Sequence, residues 1–181
     1  MLEITIPSQE LFNEATNEFI YIKEQTLKLE HSLVSISKWE SKWLKPFLDK
    51  EPKTQEETID YIRCMTITQN VDPLVYYGVT SDNVNSVSEY IDSPMTATWF
   101  SKAQDRPRGN REIVTSELIY YWMIALNIPM ECQKWHLNRL LTLIRICNIK
   151  NQDPKKMSKS AIMSNNKALN AARRAKHNTR G

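Results

Sequence analysis

The chain opens on a strict alternation. Leu2, Ile4 and Ile6 point one way and Glu3 and Thr5 the other, the period of a half-buried strand. Residues 19–30 are again rich in β-formers, with Leu27 and Leu29 alternating against Thr26, Lys28 and Glu30. The pattern predicts two or three short strands in one small antiparallel sheet, closed by residue 30. After Ser32 the period changes. Leu33, Ile36, Trp39, Trp43 and Phe47 recur every three to four residues, which predicts a helix ending near Pro46. Its apolar face is expected to pack on the Leu2, Ile4, Ile6 face of the sheet.

Further helices follow, each with a local start signal. Thr54-Gln-Glu-Glu57 is a capping box, with Ile59, Ile62 and Met65 on the helix it opens. Asp72-Pro73 places a cap before a proline at the first helical position and starts a short helix through Tyr77, stopped at Gly78. Thr80 or Ser81 caps the next, with Val84, Val87 and Ile91 on one side. Residues 101–111, SKAQDRPRGNR, are polar, aperiodic and contain Pro and Gly, so they read as a loop. Glu112 to Asn127 reads as a strong helix with Leu118, Tyr121, Trp122 and Ala125. Pro129 is expected to open another, to about Asn148, with Cys132, Trp135, Leu140, Leu143, Ile144 and Cys147. Residues 151–154 form a linker, and Ser158 or Ser160 caps a last helix with a thin apolar stripe of Ile162, Leu169 and Ala172.

The predicted fold class is therefore α+β. A small N-terminal antiparallel β element (1–30) precedes a mainly α-helical body (31–150) and a basic, helical or mobile tail (151–181). Three glycines in 181 residues disfavour phosphate-cradling loops and favour helices. No apolar run approaches the roughly 20 residues that span a bilayer, and no signal peptide is read at the N-terminus. The odd set Cys64, Cys132 and Cys147 reads as reduced, buried thiols of a cytosolic protein.

Charge divides the chain. The net charge is +3, but residues 153–181 hold eight basic side chains and one acidic, so the tail carries +7 and residues 1–152 carry −4. Such a tail is expected to meet something negative. No aromatic residue lies in 151–181, so the stacking platforms of single-strand binders are missing. Nucleic acid is accordingly the least favoured partner for the tail, behind a protein surface or the chain's own body.

Two short motifs lack the context their chemistry needs. Lys156 to Ser160 spell KMSKS, a signature of class I aminoacyl-tRNA synthetases. Those lysines act on ATP phosphates beside a parallel sheet with a second, histidine-containing signature. Neither His31, His136 nor His177 belongs to such a signature, and no βαβ alternation is present. Cys132 and His136 stand four apart on the expected helix, a spacing that can offer two metal ligands, yet no third or fourth ligand is clustered nearby. No catalytic, cofactor or metal residues are assigned, and no enzymatic activity is expected. Tryptophans at helical spacing are usually core, but Trp is also enriched in contact surfaces, so Trp39, Trp43, Trp122 and Trp135 are the candidate partner-binding residues on the helices; Lys155, Lys156, Arg173 and Arg174 are the candidates in the tail, on its positive charge.

Three blocks carry a resemblance: LEHSLVSISKWESKWLKPF, REIVTSELIYYWMIALNIPMECQKWHLNRLLTLIRICNIKN and NNKALNAARRAKHNTRG. With the strand-rich start they resemble proteins encoded among the tail genes of tailed phages and prophages, similar to tail assembly chaperones. The resemblance implies a non-enzymatic protein of the host bacterial cytoplasm. It would bind the tape measure protein, and in turn meet the tail tube protein, before the tube polymerises. Self-association along the client is compatible with it, and no membrane is involved. A structural tail or neck protein of the virion, and a nucleic-acid-binding module using the basic tail, are the alternatives.

Overall fold

A computed structural model describes residues 1–13, 17–100, 113–151 and 159–177. The expected loop at 101–111, the linker residues 152–154, and Lys155, Lys156 and Ser158 lie outside the described residues. The chain divides into two compact units, Met1–Cys147 and Asn148–Gly181.

The first unit begins with four strands, β1 (Leu2–Ile6), β2 (Gln9–Asn13), β3 (Glu18–Ile22) and β4 (Gln25–Leu29). They form two antiparallel pairs, β1 with β4 and β2 with β3, in place of the single two- or three-stranded sheet expected. Both pairs keep one register: Leu2 faces Leu29 and Ile6 faces Gln25, then Gln9 faces Ile22 and Asn13 faces Glu18. The four strands are thus two halves of a single long hairpin, interrupted where Pro7 and Ser8 lie opposite Lys23 and Glu24. Pro7 has no N–H to give a ladder. The interruption also inverts the inward face. Ile4, Ile6, Leu27 and Leu29 are buried in the first half, whereas Ile22, with Leu11 and Ile20 half-buried, turns inward in the second. The strand Gln9–Asn13 has no hydrophobic alternation of its own, and pairing across the hairpin defines it.

The helices start where their caps place them. Ser32 and Ser35 form a capping box at α1 (Leu33–Trp43). At α2 (Gln55–Met65), the Glu57 amide donates to Thr54 Oγ1 at 3.2 Å and the Thr54 amide to Glu57 Oε2 at 2.8 Å. Asp72 and Pro73 open a turn, Pro73–Gly78, but it is a 3-10 helix. Gly78 lies at the interruption in the hairpin, where a Cβ would come within 2.3 Å of Gln9 Nε2 and 3.0 Å of Ile6 Cγ2. A side chain at this position would have to displace the Gln9 amide and crowd Ile6 and Ile22. Thr80 rather than Ser81 caps α3 (Ser81–Asp92).

Three expectations are corrected by long-range contacts. Helix α1 stops at Trp43, because Leu44 takes a left-handed conformation (φ 54°) before Pro46. Phe47 is still buried, but from a turn whose amide donates to the Glu40 carboxyl group at 2.8 Å. Second, α1 packs on α2 and on α4 (Ser116–Ala125), and it is α3 that lies along β1. Third, no continuous helix runs from Pro129 to Asn148. A 3-10 turn, Met130–Lys134, is followed by extended backbone at Trp135 and His136, and only then by α5 (Leu137–Asn151). The break arises because His136 forms an isolated antiparallel bridge with Ser32, and the Leu137 amide donates to the His31 carbonyl at 2.7 Å. A tertiary hydrogen bond here replaces one that a helix would have made.

Around that tie lies a buried aromatic and polar cluster. His31 Nδ1 is 2.6 Å from the Tyr61 hydroxyl, and the His31 and His136 rings stand edge to face with centroids 5.1 Å apart. His136 donates from Nε2 to the Tyr90 carbonyl at 3.0 Å and accepts the Asn138 amide at Nδ1, which sets its neutral tautomer. Burial first, and then the neighbouring His136, push the His31 pKa down to about 3. Burial also lowers that of His136. The second unit contains α6 (Lys159–His177). Among the described residues, no helix is long and apolar enough to cross a membrane.

Candidate protein-binding surface

Helix α4 is built to be held rigidly. Thr115 caps its N-terminus. The Ser116 amide donates to Glu40 Oε2 at 2.8 Å, so a buried carboxyl group from α1 sits at the positive end of the α4 dipole. At the other end, Asn127 adopts a left-handed conformation (φ 53°). The Ile128 amide then donates to the Met123 carbonyl at 2.8 Å and the Asn127 amide to the Ile124 carbonyl at 3.1 Å. This is the Schellman arrangement, with asparagine in the place glycine usually takes.

Between those caps no charged side chain occurs from Leu118 to Met130. A helix that is apolar on every side is ordinarily enclosed on every side. Here Ile119 and Met123 are buried, Leu118, Tyr120 and Trp122 are half-buried, and Tyr121 and Ile124 are 63% and 66% exposed. Residues three apart on a helix are neighbours, so these two form one open apolar strip. Ile113 before the helix and Met130 after it are also exposed. The Tyr120 hydroxyl donates to Gln133 Oε1 at 2.9 Å, which fixes one margin of the strip. The inward residues differ from those expected: Tyr121 and Ala125 face solvent while Ile119 and Met123 enter the core. A helix apolar at nearly every position has no periodicity from which to choose a face.

A second apolar surface lies on the outer half of the hairpin. Phe12 and Phe19 are cross-strand partners with ring centroids 5.1 Å apart, and both are exposed. Tyr21 beside them is exposed too, and its hydroxyl pKa is raised by a hydrogen bond to Glu10. Trp99 is the most exposed of the large hydrophobic side chains described, at 93%.

The tryptophans singled out from sequence have different surroundings. Trp39 is buried, and its indole N–H donates to the Glu57 carbonyl at 2.9 Å, so it presents nothing to a partner. Trp43 is half-buried and donates to Asp60 Oδ2 at 2.9 Å. Trp122 lies half-buried on α4 beside the open strip. Trp135 is half-buried, with the Arg139 guanidinium 4.3 Å from its ring centroid. Arg173 and Arg174 are exposed on α6, whereas Lys155 and Lys156 lie outside the described residues. Sequence reasoning missed Ile124, Trp99 and the Phe12, Phe19, Tyr21 set, and it took Tyr121 for an inward residue. The charge-free run around Tyr121 and Ile124 was the available signal.

Cys132 and His136 do not share a helix face, because the 3-10 turn ends at Lys134 and α5 starts at Leu137. Among the described residues, no group of three or more His, Cys, Asp or Glu side chains could hold a metal ion. Cys64 is half-buried, and burial pushes its thiol pKa up to about 11, far from the range of a reactive thiolate. Lys159 and Ser160 of the KMSKS stretch begin α6. Comparison with protein-family models, curated proteins and solved structures finds no match to this chain.

Proposed function

We propose that the protein is a tail assembly chaperone of a tailed phage. In this reading it is a non-enzymatic protein of the host bacterial cytoplasm that holds the tape measure protein soluble until the tail tube protein encloses it. The resemblance of the three sequence blocks supplies the identity of the client. The observation that carries the binding role is the open strip of Tyr121 and Ile124 on a helix without charge from Leu118 to Met130. A long helical client with an apolar face aggregates while that face meets water. An apolar strip on a rigid, doubly capped helix can cover such a face in the manner of helix packing. The strip is short, which suits a partner that must later be displaced.

Co-expression of the full chain with the tape measure protein tests this. The expected result is a soluble complex with the wild-type protein, and client in the pellet with a Tyr121→Asp/Ile124→Asp variant that melts as the wild type does. Client that stays insoluble beside the wild-type protein contradicts the reading. So does a stoichiometric presence of this chain in mature particles, which would make it a structural virion component.

A further inference from the structure

We propose that α6 binds double-stranded DNA, lying in the major groove with Lys167, Arg173 and Arg174 on phosphates and Asn166 and Asn170 toward the groove floor. The inference is independent of the chaperone reading.

Residues 159–177 contain five lysines and arginines and no carboxylate. Lys167, Arg173, Arg174 and Lys176 are all exposed, and so are Asn166 and Asn170. At 3.6 residues per turn, Asn166, Lys167, Asn170, Arg173 and Arg174 fall within about a third of the helix circumference. Ala168, Ala171 and Ala172 lie outside that arc. Lys176 also lies outside the arc and Met163 lies within it, so three of these four exposed cations share one face, with hydrogen-bonding amides among them.

The chemistry of that face selects among polyanions. An interfacial membrane helix needs bulky apolar side chains opposite its cations, whereas the far side of α6 is largely alanine. Single strands are held by aromatic stacking, and residues 151–181 contain no aromatic side chain. The major groove of A-form RNA is too deep and narrow for side chains to read. The major groove of B-DNA, about 12 Å wide, admits an α-helix, and Asn, Arg and Lys are the side chains that contact its base edges and phosphates. A duplex needs no stacking platform, so the missing aromatics that count against single strands do not count against it.

The test is fluorescence anisotropy of the full chain with a labelled mixed-sequence DNA duplex of about 20 base pairs, at salt from about 50 to 200 mM, the range in which phosphate contacts show their salt dependence. The expected slope of log K against log salt is about −3, at roughly 0.9 for each phosphate neutralised by Lys167, Arg173 and Arg174. Lys167→Ala/Arg174→Ala should flatten that slope by about 2. Asn166→Ala/Asn170→Ala should weaken binding several-fold at unchanged slope. Both variants should melt as the wild type does. A duplex left unbound at the lowest salt overturns the proposal, as does a slope unchanged in the Lys167→Ala/Arg174→Ala variant. Tighter binding to polyglutamate than to the duplex would show that α6 serves an acidic protein instead, and it overturns the proposal equally.

Discussion

Helices α1 and α4 are both rich in large apolar side chains, and they use them in opposite ways. Helix α1 encloses Trp39 completely and ties its indole to the Glu57 carbonyl of α2. Helix α4 encloses Ile119 and Met123 and leaves Tyr121 and Ile124 open. The two are joined through Glu40, whose carboxyl group accepts the Phe47 amide at 2.8 Å and the Ser116 amide at 2.8 Å. Aromatic content alone thus says little about role. What separates the two helices is whether the polar atom of the ring has a buried partner and whether another element covers the face.

Truncations at the two helices should separate by several kcal/mol. Trp39→Ala empties the largest buried site in α1 and removes the indole N–H donated to the Glu57 carbonyl, so a loss of about 3–5 kcal/mol is expected in denaturant unfolding. A loss below about 1 kcal/mol would show that the ring is not part of the core. Glu40→Ala should cost about 2–4 kcal/mol, because two buried amides lose their acceptor. Glu40→Gln, which keeps an oxygen in place, should cost less; equal losses in the two variants would break the proposed link between α1 and α4.

The tie between the end of the hairpin and α5 should fail in acid. His31 binds its proton with a pKa of about 3 when folded, against an ordinary 6.5. The unfolded chain therefore takes up more protons between those values. Stability contributed by the neutral imidazole is present in full above pH 6.5 and is lost as pH falls toward 3, on the order of 3 kcal/mol by pH 4. The melting temperature should fall over that window, and His31→Gln should flatten the slope, with His136, whose pKa burial also lowers, carrying part of the remainder. A His31→Gln protein with the wild-type acid profile would place the proton uptake elsewhere. The smallest effect belongs to α4. Tyr121→Asp/Ile124→Asp should change stability by no more than about 0.5 kcal/mol, since both side chains already face water. A loss of several kcal/mol would show that the strip is structural and not a binding face.

What the sequence determined by itself is local. Thr54 and Asp72 mark helix starts, and the pair Thr80 and Ser81 a third, because each cap is a hydrogen bond to an amide two or three residues away. The alternation of Leu2, Ile4 and Ile6, and of Leu27 and Leu29, is legible because a strand with one buried face imposes it directly. The succession of a β element, a helical body and a basic helix follows from those signals.

What only the tertiary structure decided depends on partners far along the chain. The hairpin keeps its register but inverts its inward face, because Pro7 interrupts the ladder and Gly78 packs against the interruption. The helix expected from Pro129 breaks at Trp135 and His136, because His31 and Ser32 claim the backbone there. The open strip on α4 was hidden from periodicity analysis because its helix is apolar on all sides. Which two side chains remain in water was settled by where α1 and the core lie, not by anything within α4 itself.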